Sequence, residues 1–366
     1  MSKWAKTTLG KIADIITGPF GSQLHQSDYV KRGIPIVMPQ DIGNRNINYS
    51  TINYVSEEDA TRLKRYSTVA NDILYARRGD VEKHAFVRAK DAGVLCGTGC
   101  LRVRINSNEV EPAFLSFYLN REETRKWLVT HAVGTNMPNL NTDILSDVPI
   151  AYSTLKEQRK IVKVLNCLEE RIILNEKIND NLTAMAYDIY MHSFFSKKPN
   201  AKLKDILIEA DKSSVQVGEA KQSTGEYPFF TSGSAILKWD TPFVNRRNCF
   251  LNTGGNADVK FYVGEAAYST DTWCISANNN MSDYLYLLLV SIKPELNQKF
   301  FQGTGLKHLQ KPLLKDRPIY IPDFEELKTF NEQVTPMFNI ISENTRENQE
   351  LITLRDWLLP MLMNGQ

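Results

Sequence analysis

At 366 residues the chain exceeds one ordinary domain and is long enough for two separate cores. Hydrophobic residues make up 42% and charged residues 23%, which excludes disordered and fibrous classes. The formal net charge of +2 is spread unevenly: residues 1–150 carry +3, 151–196 carry 0, 197–320 carry +4 and 321–366 carry −5. Mildly basic bodies therefore alternate with neutral or acidic segments, a pattern that suits local basic patches.

In chain order, MSKWAKTTLG lacks the apolar core of a signal peptide, and the longest apolar run, YLYLLLV at Tyr284 to Val290, is too short to span a bilayer. A cytoplasmic protein with no membrane partner is expected. The first body, 1–153, opens on LGKIADII (Leu9 to Ile16), whose spacing predicts a short amphipathic helix. Strands are predicted at 34–38, 72–76, 84–88 and 101–105 between glycine and asparagine turns. Cys96 and Cys100 form the only close pair among five scattered cysteines. With no CxxC, a disulfide framework or zinc site is not supported, and small buried residues of a strand and turn are the alternative.

The turn GTNMPNLN (Gly134 to Asn141) leads through DVPI into a long helical pattern from Thr154, with Thr154 and Glu157 at capping-box spacing and no proline or glycine before Pro199. Residues 154–198 are expected to form a helical spacer whose seam runs Ile161, Leu165, Leu168, Ile172, Asn175, Asn179, Leu182, Ala186, Ile189 in alternating steps of four and three. The second body, 199–322, opens on a similar stretch, LKDILIEA (Leu203 to Ala210), with strands predicted at 227–230, 248–252 and 259–263. A second spacer, 323–366, carries the seam Phe330, Val334, Met337, Ile341, Asn344, Asn348, Leu351, Arg355, Leu358.

The two halves repeat. Shifting the sequence by 169 residues aligns 134–196 with 303–365 without a gap and gives twelve identities, among them Gly134/Gly303, Asp147/Asp316, Glu157/Glu326, Asn175/Asn344 and Asn179/Asn348. Chance would give roughly four. Upstream, FLSFYL at 114–119 faces YLYLLL at 284–289 with a one-residue slip, whereas the middles of the two bodies share no visible sequence. The fold class expected is α+β: two mixed α/β bodies separated by two long helices packed as an antiparallel coiled coil, with a pseudo-twofold internal repeat. Asn175, Asn179, Asn344 and Asn348 sit on the seam, where a polar layer costs stability and fixes helix register. A solvated break in an ordinary bundle helix is the competing interpretation.

The sequence contains no GxxxxGK[ST], no GxGxxG after a strand, no HExxH and no Asn/Asp-Pro-Pro-aromatic motif, and its five histidines are dispersed. No catalytic or metal-binding residue is proposed on these grounds. GTNMPNLN, DVPI, LKEQRKIVKVL and a long helix, repeated as GTGLKHLQ, RPIYIP and FEELKTF, together resemble the specificity subunit of a Type I restriction-modification system over the whole chain. GPFGSQLHQSDYVKRGIPIV (18–37) and YSTDTWCI (268–275) also resemble stretches of that family's target-recognition domains. The second copy departs from the pattern with Leu327 and Lys328 in place of Gln158 and Arg159, and with Pro336, which predicts a kinked or late start of its helix.

The resemblance implies a subunit that is not itself an enzyme. It would read a bipartite asymmetric site on double-stranded DNA with one half-site per body, and dock two methyltransferase subunits and restriction (motor-nuclease) subunits. Adenosylmethionine, ATP and magnesium would belong to those partners, with no cofactor on this chain. Residues whose types suit base edges or phosphates and that lie near turns are Gln23, Lys31, Arg32, Gln40, Asn44, Arg45, Arg77, Arg78 and Lys83 in the first body. In the second they are Ser232, Lys238, Arg246, Arg247, Asn252, Asn256 and Lys260, and the pairs Arg77-Arg78 and Arg246-Arg247 are expected at comparable places. The alternatives are a nuclease or methyltransferase-type restriction enzyme, and a scaffold that binds only protein.

Overall fold

The computed structural model describes residues 4–134 and 138–363. The chain divides into two compact units, 1–169 with 352–366 and 170–351, so each long helix contributes one part to each unit. The mixture of helix and sheet is α+β, as expected.

The first unit begins with β1 (Ala5–Thr8), a tight 3-10 turn at Leu9–Lys11 and β2 (Ala13–Thr17). The helix expected over Leu9 to Ile16 is therefore absent. Leu9 and Ile12 are buried by the turn, and from Ala13 onward backbone pairing with Cys100–Ile105 imposes a strand on a segment too short for periodicity to decide. There follow β3 (Tyr29–Val30), β4 (Ile34–Val37), β5 (Asn53–Val55), α1 (Glu57–Arg62), β6 (Ile73–Ala76), β7 (His84–Phe86), β8 (Leu95–Cys96) and β9 (Cys100–Ile105). They form two four-stranded sheets, ordered β2-β9-β6-β7 and β3-β5-β4-β8, in which only β4 and β8 run parallel. Cys96 and Cys100 are buried in the core, with the Cys100 thiol donating to Val37 O. Next come α2 (Pro112–Leu119), α3 (Glu122–His131), α4 (Thr142–Ser146), β10 (Pro149–Tyr152), which pairs with β1, and α5 (Leu155–Phe194). Phe114, Leu115 and Phe117 of α2 share a core with Ile73, Leu101 and, from the long helices, Leu165 and Leu359. Each such side chain contributes about 1.5–3 kcal/mol by leaving water.

The second unit repeats the plan with β11 (Ala201–Lys202), β12 (Leu207–Glu209), α6 (Val217–Ala220), β13 (Tyr227–Phe230), β14 (Ile236–Trp239), β15 (Arg247–Asn252), β16 (Val259–Val263), β17 (Ala267–Tyr268) and β18 (Thr272–Ala277). Leu203 to Ala210 is again a 3-10 turn and a strand, not a helix. The sheets are β12-β18-β15-β16 and β14-β13-β17, and β13 pairs with β17 in parallel as β4 pairs with β8. The middles of the bodies thus share a backbone plan that their sequences hide, because the ladder bonds main chain to main chain and is indifferent to side-chain identity. Then follow α7 (Ser282–Ser291), α8 (Lys293–Glu295), β19 (Phe301–Gln302), β20 (His308–Leu309), α9 (Lys311–Lys315), β21 (Pro318–Ile319) and α10 (Phe324–Met363).

Both long helices are continuous over 40 residues. The Thr154 hydroxyl accepts from Glu157 N at 3.4 Å, and Asp323 with Glu326 closes a reciprocal box of 2.9 and 3.1 Å. α10 runs through Pro336 without a late start, held on either side of the proline by buried Phe330, Val334 and Phe338. In the second unit the helices pair antiparallel through two asparagine layers. Asn175 donates to Asn348 Oδ1 at 2.9 Å and to Glu347 at 2.7 Å, and Asn344 donates to Asn179 Oδ1 at 2.8 Å. Arg171 clamps Glu347 with two bonds of 2.9 and 3.0 Å. The buried face is wider than the predicted seam. Phe338 and Ser342 also point inward, because α10 packs on its body as well: Phe338 lies 4.9 Å from the Phe261 ring and Ser342 accepts from Val263 N.

Candidate nucleic-acid interface

In each unit the strands deliver a set of loops to one end, and a matching set of main-chain bonds ties those loops together. In the first unit Gly97 N donates to Val37 O (2.9 Å), Cys100 N to Gly97 O (3.2 Å), Arg77 N to Gly99 O (2.7 Å), Leu140 N to Arg77 O (2.8 Å) and Gly79 N to Pro138 O (3.3 Å). In the second, Ser269 N donates to Phe230 O (2.9 Å), Thr272 N to Ser269 O (3.0 Å), Thr253 N to Asp271 O (3.0 Å), Leu309 N to Thr253 O (2.9 Å) and Gly255 N to Lys307 O (2.9 Å). The five bonds correspond one to one. They equate Val37 with Phe230, Arg77 with Thr253, Gly79 with Gly255 and Gly97 with Ser269. Gly79 and Gly255 both need the left-handed conformation, with φ of 82° and 81°.

The recurring turns that mark the repeat, Gly134 to Asn141 and Gly303 to Gln310, lie here too. Each is tied to the turn leaving β6 or β15, while α4 or α9 and a short strand intervene before the long helix. Of the first turn, Thr135 to Met137 lie outside the described residues.

Among the residues singled out from sequence, Gln40, Arg77, Arg78 and Lys83 belong to this end of the first unit, with Asn44 next to it in the turn that bonds to His84. Lys83 pairs with Asp80. Gln23 accepts from the Tyr66 hydroxyl at 2.8 Å. Lys31 and Arg32 are exposed where the chain enters β4, at the opposite end of that strand. In the second unit Ser232, Asn252, Asn256 and Lys260 gather at the corresponding end, whereas Lys238 lies on β14. Ser232 donates to Asp271 O at 2.6 Å, and the Lys260 ammonium donates to Thr231 O at 2.6 Å and to Gly233 O. Burial pushes the Lys260 pKa down. Asn252 is buried and shapes its turn, donating to Gly254 O at 2.7 Å and accepting from Asp258 N at 2.7 Å.

The two arginine pairs do not occupy comparable places. Arg77 and Arg78 follow β6, whereas Arg246 and Arg247 stand at the start of β15, the strand equivalent to β6. Arg246 (φ 80°) is left-handed where the chain enters β15, as Asn71 (φ 77°) is just before β6. Arg247 donates to Asp283 Oδ1 at 2.6 Å and to Asn339 Oδ1 at 2.6 Å, which ties the body to α10. Burial raises the Asp283 pKa, opposed by Arg247 and by the Thr335 hydroxyl.

Arg45 is also turned inward. It is 3% exposed, stacks 3.3 Å from the Phe117 ring centroid, bonds Ser116 Oγ at 2.9 Å and pairs with Glu169 of α5. Burial draws its pKa down to about 10, partly opposed by Glu169, so it remains charged at neutral pH. His84, fully buried on the same serine hydroxyl at 2.9 Å, is depressed to about 3 by burial and by the Arg45 charge, and is therefore neutral. This network joins the turn at 43–46 to the long helix, and its guanidinium is closed to solvent.

Sequence reasoning missed Thr98, Thr253, Thr270, Asp271 and Lys307, all in the bonded loops. A signal existed in the shared threonine of GTGC at Gly97 to Cys100 and STDT at Ser269 to Thr272. Among the described residues no group of three or more His, Cys, Asp or Glu could hold a metal, and no helix is long and apolar enough to cross a membrane.

The family model described as the Type I restriction modification DNA specificity domain matches residues 1–184 and again 197–353. The chain belongs to that family. The specificity family's model thus matches twice, once per repeat. A type I restriction enzyme MjaIX specificity subunit from Methanocaldococcus jannaschii is 21% identical over 97% of this chain and 92% of its own length. The HindI specificity subunit from Haemophilus influenzae is 23% identical over 100% of both chains. The same fold is seen in a crystal structure of the Type-I restriction-modification system S subunit from M. genitalium, 16% identical, covering 99% of this chain and 96% of that one, with a TM-score of 0.60.

Proposed function

We propose that the chain is the DNA-reading subunit of a type I restriction-modification assembly, that each body reads one half of a bipartite asymmetric duplex site, and that methylation and cleavage are performed by partner subunits. The observation that carries this reading is the repeated loop frame. Two bodies of one backbone plan present different side chains from equivalent loops, which is what two dissimilar half-sites require. The capped, asparagine-registered helices support a role as a fixed spacer between the readers.

Docking of two methyltransferase subunits and of restriction subunits is supported by apolar side chains left in solvent on the long helices. Val164, Leu174 and Met185 of α5 are 46%, 48% and 52% exposed. Leu174 and Met185, eleven residues apart, stand about three helical turns from each other on one face of the helix, with Val164 about 80° to the side. Adenosylmethionine, ATP and magnesium are assigned to those partners, and the assembly to the cytoplasm. The test is a band shift of the purified chain with duplex DNA at two salt concentrations, without and with magnesium. Binding that falls steeply with salt and leaves the DNA uncut is expected. Salt-independent or absent binding would favour a protein-only scaffold, and cutting would favour a nuclease.

A further inference from the structure

The loops at the bonded end of each unit are an exposed feature that the two bodies build alike. The opposite end is not shared: the turn carrying Lys31 and Arg32 joins β3 to β4, while β13, the match of β4, is reached from α6 through a different connection. We infer that each body meets its half-site with this shared end, and that matched loop positions, Arg77 with Thr253, Arg78 with Gly254 and Gln40 with Gly233, set the bases each body selects. This rests on the reading that the chain binds duplex DNA by half-sites.

Three observations carry it. The five bonds common to both bodies run main chain to main chain and persist although the side chains at the matched positions differ; in the second body the Ser232 and Thr253 hydroxyls add bonds to Asp271 O. The polar groups at this end include exposed Gln40, Arg78, Asn256 and Lys307, and neither Arg78 nor Lys307 makes a side-chain hydrogen bond or ion pair among the described residues. Arg45 and Arg247, by contrast, are committed to Glu169 and Asp283. Finally, a side chain added at Gly79 or Gly255 would meet nothing within 4 Å, so open space lies beside the main chain of both equivalent turns. A phosphate backbone can approach there as it cannot approach a side-chain-covered strand. An arginine at position 78 and a glycine at its match then place a cation fit for guanine or phosphate in one body and bare main chain in the other.

The experiment uses the full chain co-expressed with its methyltransferase partner. The methylated sites of the native assembly are mapped first. If they show no bipartite motif, the half-site reading itself fails. Given a bipartite motif, the loop of the second body is copied into the first as Arg77→Thr with Arg78→Gly. The expected result is a relaxed or altered first-body half, an unchanged second half, an unchanged thermal midpoint and about tenfold or greater loss of affinity for the native site. Arg78→Ala alone, which removes an exposed side chain, carries the test if the double variant does not assemble. A motif unchanged in both halves would overturn the inference. So would a half-site lost on replacing Lys31 and Arg32 with alanine, for which affinity within twofold of native is expected.

Discussion

Arg45 shows how a single residue can mislead a reading by residue type. In the sequence it is an arginine beside asparagines in a turn, the composition of a DNA contact. In the fold it adopts a left-handed conformation at φ 60° and sends its guanidinium inward to Glu169. An isolated buried charge would be costly, so the two are mutually required, and removing one leaves the other uncompensated. Glu169→Gln is therefore expected to destabilise the protein by about 3–5 kcal/mol, read as a fall in the denaturant midpoint. A change below about 1 kcal/mol would mean that solvent reaches the pair. Nothing in the residue types around position 45 distinguished this arginine from Arg78. Burial is decided by α2 and α5, more than seventy residues away in the chain for both Ser116 and Glu169.

Among elements, the long helices were legible from sequence and the short ones were not. Heptad seams over 161–189 and 330–358 and the capping-box spacing at Thr154 leave few alternatives. The structure starts the helices at Leu155 and Phe324, without the late start that Pro336 predicted, and ends the first at Phe194, four residues short of the expected 198. Leu9 to Ile16 and Leu203 to Ala210, only eight residues each, fit a helix and a turn-plus-strand equally well until the partner strand is known. The asparagine layers make a prediction at this scale. Each layer bonds amide to amide across the pair but forgoes apolar packing, and the buried Asn175 Oδ1 has no partner, so the layers should favour register over stability. Replacing Asn175 and Asn348 together with leucine is expected to raise the thermal midpoint by a few degrees. A lower midpoint would show that the amide bonds and the Arg171–Glu347 clamp contribute more than apolar packing would.

For the molecule as a whole, the sequence shows one duplication and the backbone shows a second, deeper one. Twelve identities mark the frame at the end of each half, but the bodies between them diverged so far that what they share is chiefly the ladder, the five loop bonds and a few loop residues such as Gly79/Gly255. That divergence hid most of the candidate interface. Residue types could nominate Arg77 and Arg246 as equivalents, and only strand pairing shows that they stand at opposite ends of equivalent strands. On the proposed function, two bodies with one frame and unlike side chains call for a target with two unlike halves. The most direct measurement is therefore the genome-wide map of methylated adenines produced when this chain is co-expressed with its neighbouring methyltransferase subunit. An asymmetric motif of two specific halves separated by a fixed nonspecific spacer is expected, and a continuous palindrome would contradict the account.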